Sequence, residues 1–273
     1  MYEQLKQLLG SKQSVKDKAL SALENKEIKF IKKYQEVEPS WMNQKLEDKV
    51  PDKLQEKLNL AFKKAFEWVF KKGTGVIEKS YHKQNYEQNY QVNAYASKLK
   101  QDKKAIQTFS KEASKSRTKN LVVSSIEGVG LGALGVGLPD IPIFTGVLLK
   151  SIYEIALSYG FSYEEEQERL FILKIIEVAL QHDEALTKGN KILNDWIEKG
   201  IQVEAEQMKK QMAATAEALS KEMLYMKFLQ GIPIVGVVGG IADTLYLKKI
   251  TAYAELKYKR RFLKTSEVMK TYS

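Results

Sequence analysis

Residues 127–149 read EGVGLGALGVGLPDIPIFTGVLL, and the fold turns on whether this run crosses a membrane or fills a core. From Gly128 to Leu149 it has enough residues to span about 30 Å of hydrocarbon. Asp140 stands near its middle, where a carboxylate costs roughly 2.5–3.5 kcal/mol on insertion scales. Pro139 and Pro142 interrupt a helix at the same point. Each half is then too short to cross, and the run reads as a helical hairpin with Asp140 at its tip. An aspartate just ahead of Pro142 suits the start of the second helix. A second run, GIPIVGVVGGIAD (231–243), has the same design of small residues, a proline and an aspartate. Gly128 and Gly132 are four apart, as are Gly236 and Gly240, a spacing that lets another helix backbone approach closely. Phe228–Leu247, with Asp243 near one end and Lys227, Lys248 and Lys249 on its flanks, is the better candidate for a crossing. Burial of both runs in a helical core is the leading expectation, with insertion into lipid as the alternative.

Working outward, the chain is helical in pattern. Residues 13–37 alternate apolar and charged groups as a surface helix does. After Pro51, the positions Leu54, Leu58, Phe62, Ala65 and Val69 recur at three- and four-residue steps, an amphipathic helix expected to end at Gly73. Residues 76–115 are polar, with Tyr81, Tyr86, Tyr90 and Tyr95 spaced so that only Tyr86 and Tyr90 share a face. The helix through IFTGVLLKSIYEIALSYG closes on Gly160 at its C′ position. Ser162 and Glu165 form a capping-box pattern ahead of EEEQERLFILKIIEVAL. Residues 183–200 form a helix ending at Gly200, followed by a long amphipathic helix and a charged last helix. No strand pattern intervenes. The expectation is an all-α bundle of about eight to ten helices, with the two Gly-rich segments at its core. The composition divides it into a Lys-rich region 1–70, a helical domain 71–265 and a tail 266–273.

There is no cysteine, which removes disulfides and thiolate chemistry. Residues 1–120 hold 26 of the 44 Lys/Arg but only 15 of the 34 Asp/Glu, so the whole positive excess lies there. A basic half points to an anionic partner. Only Arg117, Arg169, Arg260 and Arg261 are arginines, and base reading leans on bidentate arginine, so sequence-specific nucleic-acid binding is disfavoured. The N-terminus lacks the apolar segment of a secretory signal, which fits a cytoplasmic protein.

Motif look-alikes fail on chemistry. In GTGVIEKS (73–80), Glu78 stands where a phosphate loop needs glycine. GLGALG (130–135) is stopped by Pro139 and has no strand before it. His82 and His182 are far apart and read as solvated, so no metal site or cofactor is expected. The residues that stand out are carboxylates in apolar settings: Glu127, Asp140 and Asp243. They can cap helices, pair with Arg260 or Arg261 as structural charges, or serve a ligand or a reaction.

The order of blocks, EGVGLGALGVGLPDIP, IALSYGF with ERLFIL soon after, IPIVGVVGGIAD and finally YKRRFL, resembles the EcsC family of bacterial proteins over roughly residues 70–265. The resemblance implies an intracellular bacterial protein acting near the membrane, as an accessory beside an ABC transporter, and it supplies no catalytic residues. Together with the charge, it points to a non-enzymatic, membrane-associated helical protein at the inner face of the cell membrane. Its partner would be an anionic membrane surface or an ABC transporter. The alternative is a hydrolase or binding protein for a lipid-like ligand, with the carboxylates in a Gly-rich pocket.

Overall fold

The computed structural model describes residues 14–35, 52–100, 103–122, 140–201, 204, 206–229, 241–266 and 270. These form ten α-helices and, among the described residues, no strand. They are α1 (Val15–Gln35), α2 (Asp52–Trp68), α3 (Thr74–Glu78), α4 (Lys83–Lys100), α5 (Lys103–Val122), α6 (Asp140–Ser158), α7 (Glu166–Leu180), α8 (Asp183–Lys199), α9 (Gln207–Leu229) and α10 (Ile241–Thr265). The chain is all-α, as its periodicity indicates. At the centre stands α10, packed against α1, α5, α6, α7 and α8, while α9 closes the bundle against α2 and α7.

Within the stretch Ile141–Ser158, long and apolar enough to cross a membrane by length and composition, every residue except Ile143 is buried in the bundle. Its hydroxyls satisfy themselves along the helix: Thr145 donates to the Ile141 carbonyl, Ser151 to Val147 and Ser158 to Glu154, at 2.7–2.8 Å. That back-bonding lets polar residues lie in a core without other partners. In α7, every residue from Leu170 to Leu180 except Lys174 is buried, the mark of a helix enclosed on all sides. The first Gly-rich block (127–139) and most of the second (230–240) lie outside the described residues, and with them the expected hairpin.

Helix ends show where local signals win and where they lose. The amide of Gly160 donates to the Leu157 carbonyl (2.9 Å) and that of Phe161 to Ala156 (3.0 Å). With φ +82 at Gly160, this is a Schellman closure. Gly200 likewise ends α8 with φ +88. The expected end at Gly73 is not found. Instead, a π turn, Val69–Gly73, carries α2 directly into α3. Gly73 serves a close approach rather than a stop, since a Cβ there would lie 2.4 Å from the Trp68 ring.

The capping box also fails. Helix α7 begins at Glu166, and Glu165 precedes it in extended conformation without a side-chain cap. Tertiary packing at Tyr163 outweighs the local cap. Its ring stacks on Tyr153 (3.9 Å between centroids). Its hydroxyl donates to Glu78 at 2.5 Å and accepts from Tyr81 at 2.6 Å.

Burial pushes the phenols of Tyr81, Tyr153, Tyr163, Tyr253 and Tyr258 well above the ordinary tyrosine range. An unfolded phenol ionises near pH ~10, and the folded ones hold their protons beyond that. Their contribution to stability is therefore complete below pH ~10 and declines as the pH rises further. Phenolate absorbance followed together with circular dichroism should show these five of the 14 tyrosines ionising only as the helices melt. Smooth ionisation of all of them in a still-helical protein would contradict the packing.

Candidate ligand-binding groove

One face of α1 carries Val15, Lys18, Ala19, Ala22 and Lys26 at three- and four-residue steps. One face of α5 carries Lys103, Ile106, Gln107, Ser110, Lys111, Ser114 and Lys115 in the same rhythm. Both helices pack on α10, and the two faces enclose a groove of about 1190 Å³ floored by Leu256 between Glu255 and Lys259. Sites for small ligands usually hold about 300–1,000 Å³, so this one is large. Carbon dominates its walls, and its rim bears six lysines against one carboxylate, Glu255.

Buried polar contacts hold the walls apart. Beside that face of α1, Leu23, which also lines the groove, turns inward together with Glu27 and Phe30. Glu27 bonds Lys257 of α10 at 3.2 Å and grips Arg260 through two contacts of 3.1 Å. Lys257, wholly buried, also donates to Asn194 of α8 at 2.8 Å. Its burial lowers the ammonium to about 8, although Glu27 acts in the other direction. On the far wall, Ser114 of α5 donates to Glu255 at 2.8 Å. Lys259 lies between the walls with its ammonium held below the usual lysine range, first by burial and then by the nearby Lys26, against the pull of Glu255.

Of the residues singled out by sequence, Arg260 and Arg261 are described with their side chains, and neither lines the groove. Glu127, Gly128, Gly132, Gly236 and Gly240 lie outside the described residues. Asp140 opens α6 and Asp243 is the third residue of α10, but their side chains lie outside the described part. Among the described residues, Arg260 and Arg261 meet glutamates. Arg260 meets Glu27 and, at 3.5 and 3.8 Å, Glu24 and Glu198. Arg261 contacts Glu168 at 2.5 Å and lies over the rings of Phe161 and Phe171. Glu168 also accepts from Tyr258 at 2.5 Å. Both arginines cross-link the bundle. His182 is not a solvated end: it is half-buried, with Nε2 3.2 Å from Glu222. Among the described residues no cluster of His, Asp and Glu has the makings of a metal site.

The model of the EcsC protein family matches residues 16–263. The chain belongs to the EcsC protein family. The match begins well before the residue 70 at which the sequence resemblance became visible. It takes in α1 and every groove residue except Val15. Among individual proteins, the chain is 27% identical to "Protein EcsC" of Bacillus subtilis (strain 168) over 145 residues, 52% of this chain and 58% of that protein. It is also 27% identical to "Uncharacterized protein YdbA" of the same organism over 155 residues, 54% of each. The chain thus spans just over half the length of the curated relatives it matches. No solved structure matches it.

The groove was missed in the sequence because its two stripes are interrupted by lysines, as any solvated helix face is. The available signal was the repeat of small and apolar residues, Val15, Ala19 and Ala22, on the lysine-bearing face of the first helix.

Proposed function

We propose that this EcsC-family protein is a non-enzymatic helical accessory that binds the anionic inner surface of the cell membrane. The observation that supports this reading is the groove: a mainly carbon wall framed by Lys18, Lys26, Lys103, Lys111, Lys115 and Lys259. A basic residue at an anionic surface contributes about 1 kcal/mol, and salt weakens that attraction over a Debye length of about 10 Å at 0.1 M. The family resemblance suggests the neighbour in that membrane, an ABC transporter, beside which the bound protein would act from the cytoplasm.

Flotation of the full chain with vesicles tests the surface reading. Vesicles rich in phosphatidylglycerol should carry the protein at low salt and release most of it at high salt, while phosphatidylcholine vesicles leave it behind. Replacing Lys18 and Lys111 by alanine should weaken the anionic binding by roughly fivefold per lysine, the equivalent of about 1 kcal/mol each. If anionic vesicles fail to carry the protein even at low salt, the reading is wrong.

A further inference from the structure

The groove has a length and a polarity as well as a charge. Its α1 wall runs from Val15 to Lys26, which at 1.5 Å per residue is about 16 Å. One leaflet of a bilayer core, half of about 30 Å, sets nearly the same length for a lipid chain. Along that distance the wall offers Val15, Ala19 and Ala22, with Ile106 opposite and Leu256 below. At one end Lys26 of α1 and Lys259 of α10 both line the groove, and the charge of Lys26 disfavours that of Lys259, so an anion placed between them would relieve a repulsion already present.

We infer that the groove between α1, α5 and α10 takes up a single-chain anionic amphiphile from the membrane, with the chain along the apolar wall and the carboxylate or phosphate head between Lys26 and Lys259. The inference rests on the anionic-surface reading and narrows it, from a face that touches headgroups to a slot that holds one lipid chain. Charge complementarity selects this occupant. The chain's own residues 1–13, which precede the groove in sequence, carry Lys6 and Lys12 against Glu3 and bring no net anion.

The test is calorimetric titration of the full chain with dodecanoate below its micelle concentration, with dodecylammonium and acetate as controls. Dodecanoate should bind saturably with one-to-one stoichiometry, while the cationic amphiphile and the short anion should not. Ala22→Phe fills an exposed position of the wall without altering charge. It should weaken dodecanoate at least tenfold while vesicle flotation persists. Lys26→Met should weaken dodecanoate about as much and make dodecanol and dodecanoate alike. Absence of saturable dodecanoate binding overturns the inference, and a groove filled by residues 1–13 would produce that result. Equal binding of dodecylammonium, or an Ala22→Phe variant with unchanged affinity, overturns it too. In each case, continued flotation on anionic vesicles would leave the surface reading intact.

Discussion

Replacing Glu27 by alanine is expected to lower stability by about 3–5 kcal/mol at pH 7, the usual cost of breaking a buried pair from one side. Glu27 is buried and is held by Lys257 and Arg260, both buried themselves. Without it, Lys257 keeps its hydrogen bond to Asn194, and an amide oxygen does not neutralise an ammonium. Arg260 fares better, with Glu24 and Glu198 still within 3.8 Å. The loss should therefore depend on pH through Lys257. Its ammonium already titrates at about 8, below the ~10.4 of an unfolded lysine. Removing the carboxylate lowers that value further. Between the new value and pH 8, the variant's folded state binds fewer protons than the wild type's, so the stability deficit shrinks as the pH rises through that window and is largest below it. Denaturant melts of wild type and variant at a series of pH values would measure this. A second variant separates burial from pairing: Glu27→Leu with Lys257→Met replaces the pair by carbon and should recover at least half of the loss, since apolar substitutes for buried ion pairs are often neutral. A deficit that ignores pH, or a double variant no better than the single one, would show that the pair does not hold α1 to α10. Since α1 forms one wall of the groove, a loosened wall should also weaken dodecanoate binding.

How much of this was legible in the sequence depends on the reach of each interaction. The helices were legible because their cause is local: an apolar stripe at 3.6-residue spacing buries itself wherever it is placed. Gly160 and Gly200 were legible for the same reason, each being a positive-φ residue within two positions of its helix end. The partner of Arg260 was not, because Glu27 lies 233 positions away and nothing near Arg260 distinguishes that glutamate from any other. Asp140 and Asp243 drew attention as carboxylates in apolar runs, whereas Glu27 and Glu168, two of the four buried glutamates among the described residues, sit in charged, ordinary-looking helices. The groove is a still harder case. Its walls come from residues 15–26 and 103–115, two lysine-studded stretches that each look solvated until a third helix sets them face to face. Ser162 and Glu165 show the reverse failure, a correct local pattern overruled by the burial of Tyr163 between them.

The second large effect concerns Gly160. Substitution by alanine is expected to cost about 2–4 kcal/mol, from two sources that can be measured separately. The backbone there has φ +82, a region that costs an L-residue about 1–2 kcal/mol. The remainder comes from contact, because a Cβ at Gly160 would lie 2.2 Å from Cζ of Tyr90. Tyr90 cannot yield without loss, since its ring packs on Phe109 at 5.7 Å and Phe109 in turn packs on Phe262 at 4.6 Å. A displaced ring would thus loosen α4 from α5 and disturb α5 on α10, the same pair of helices that forms the far wall and floor of the groove. For a chain of this size each kcal/mol shifts Tm by about 2–4 °C, so the melting temperature should fall by roughly 10 °C. Tyr90→Ala removes the obstruction at its own cost. Made in that background, Gly160→Ala should forfeit only the backbone share, leaving a coupling of about 1–2 kcal/mol between the two sites. Additive losses would mean that the tyrosine does not press on the turn. A Gly160→Ala variant as stable as the wild type would mean that the α6 terminus is not left-handed at all. The Schellman closure and the tyrosine contact at this turn would then fail together, because both require that same φ.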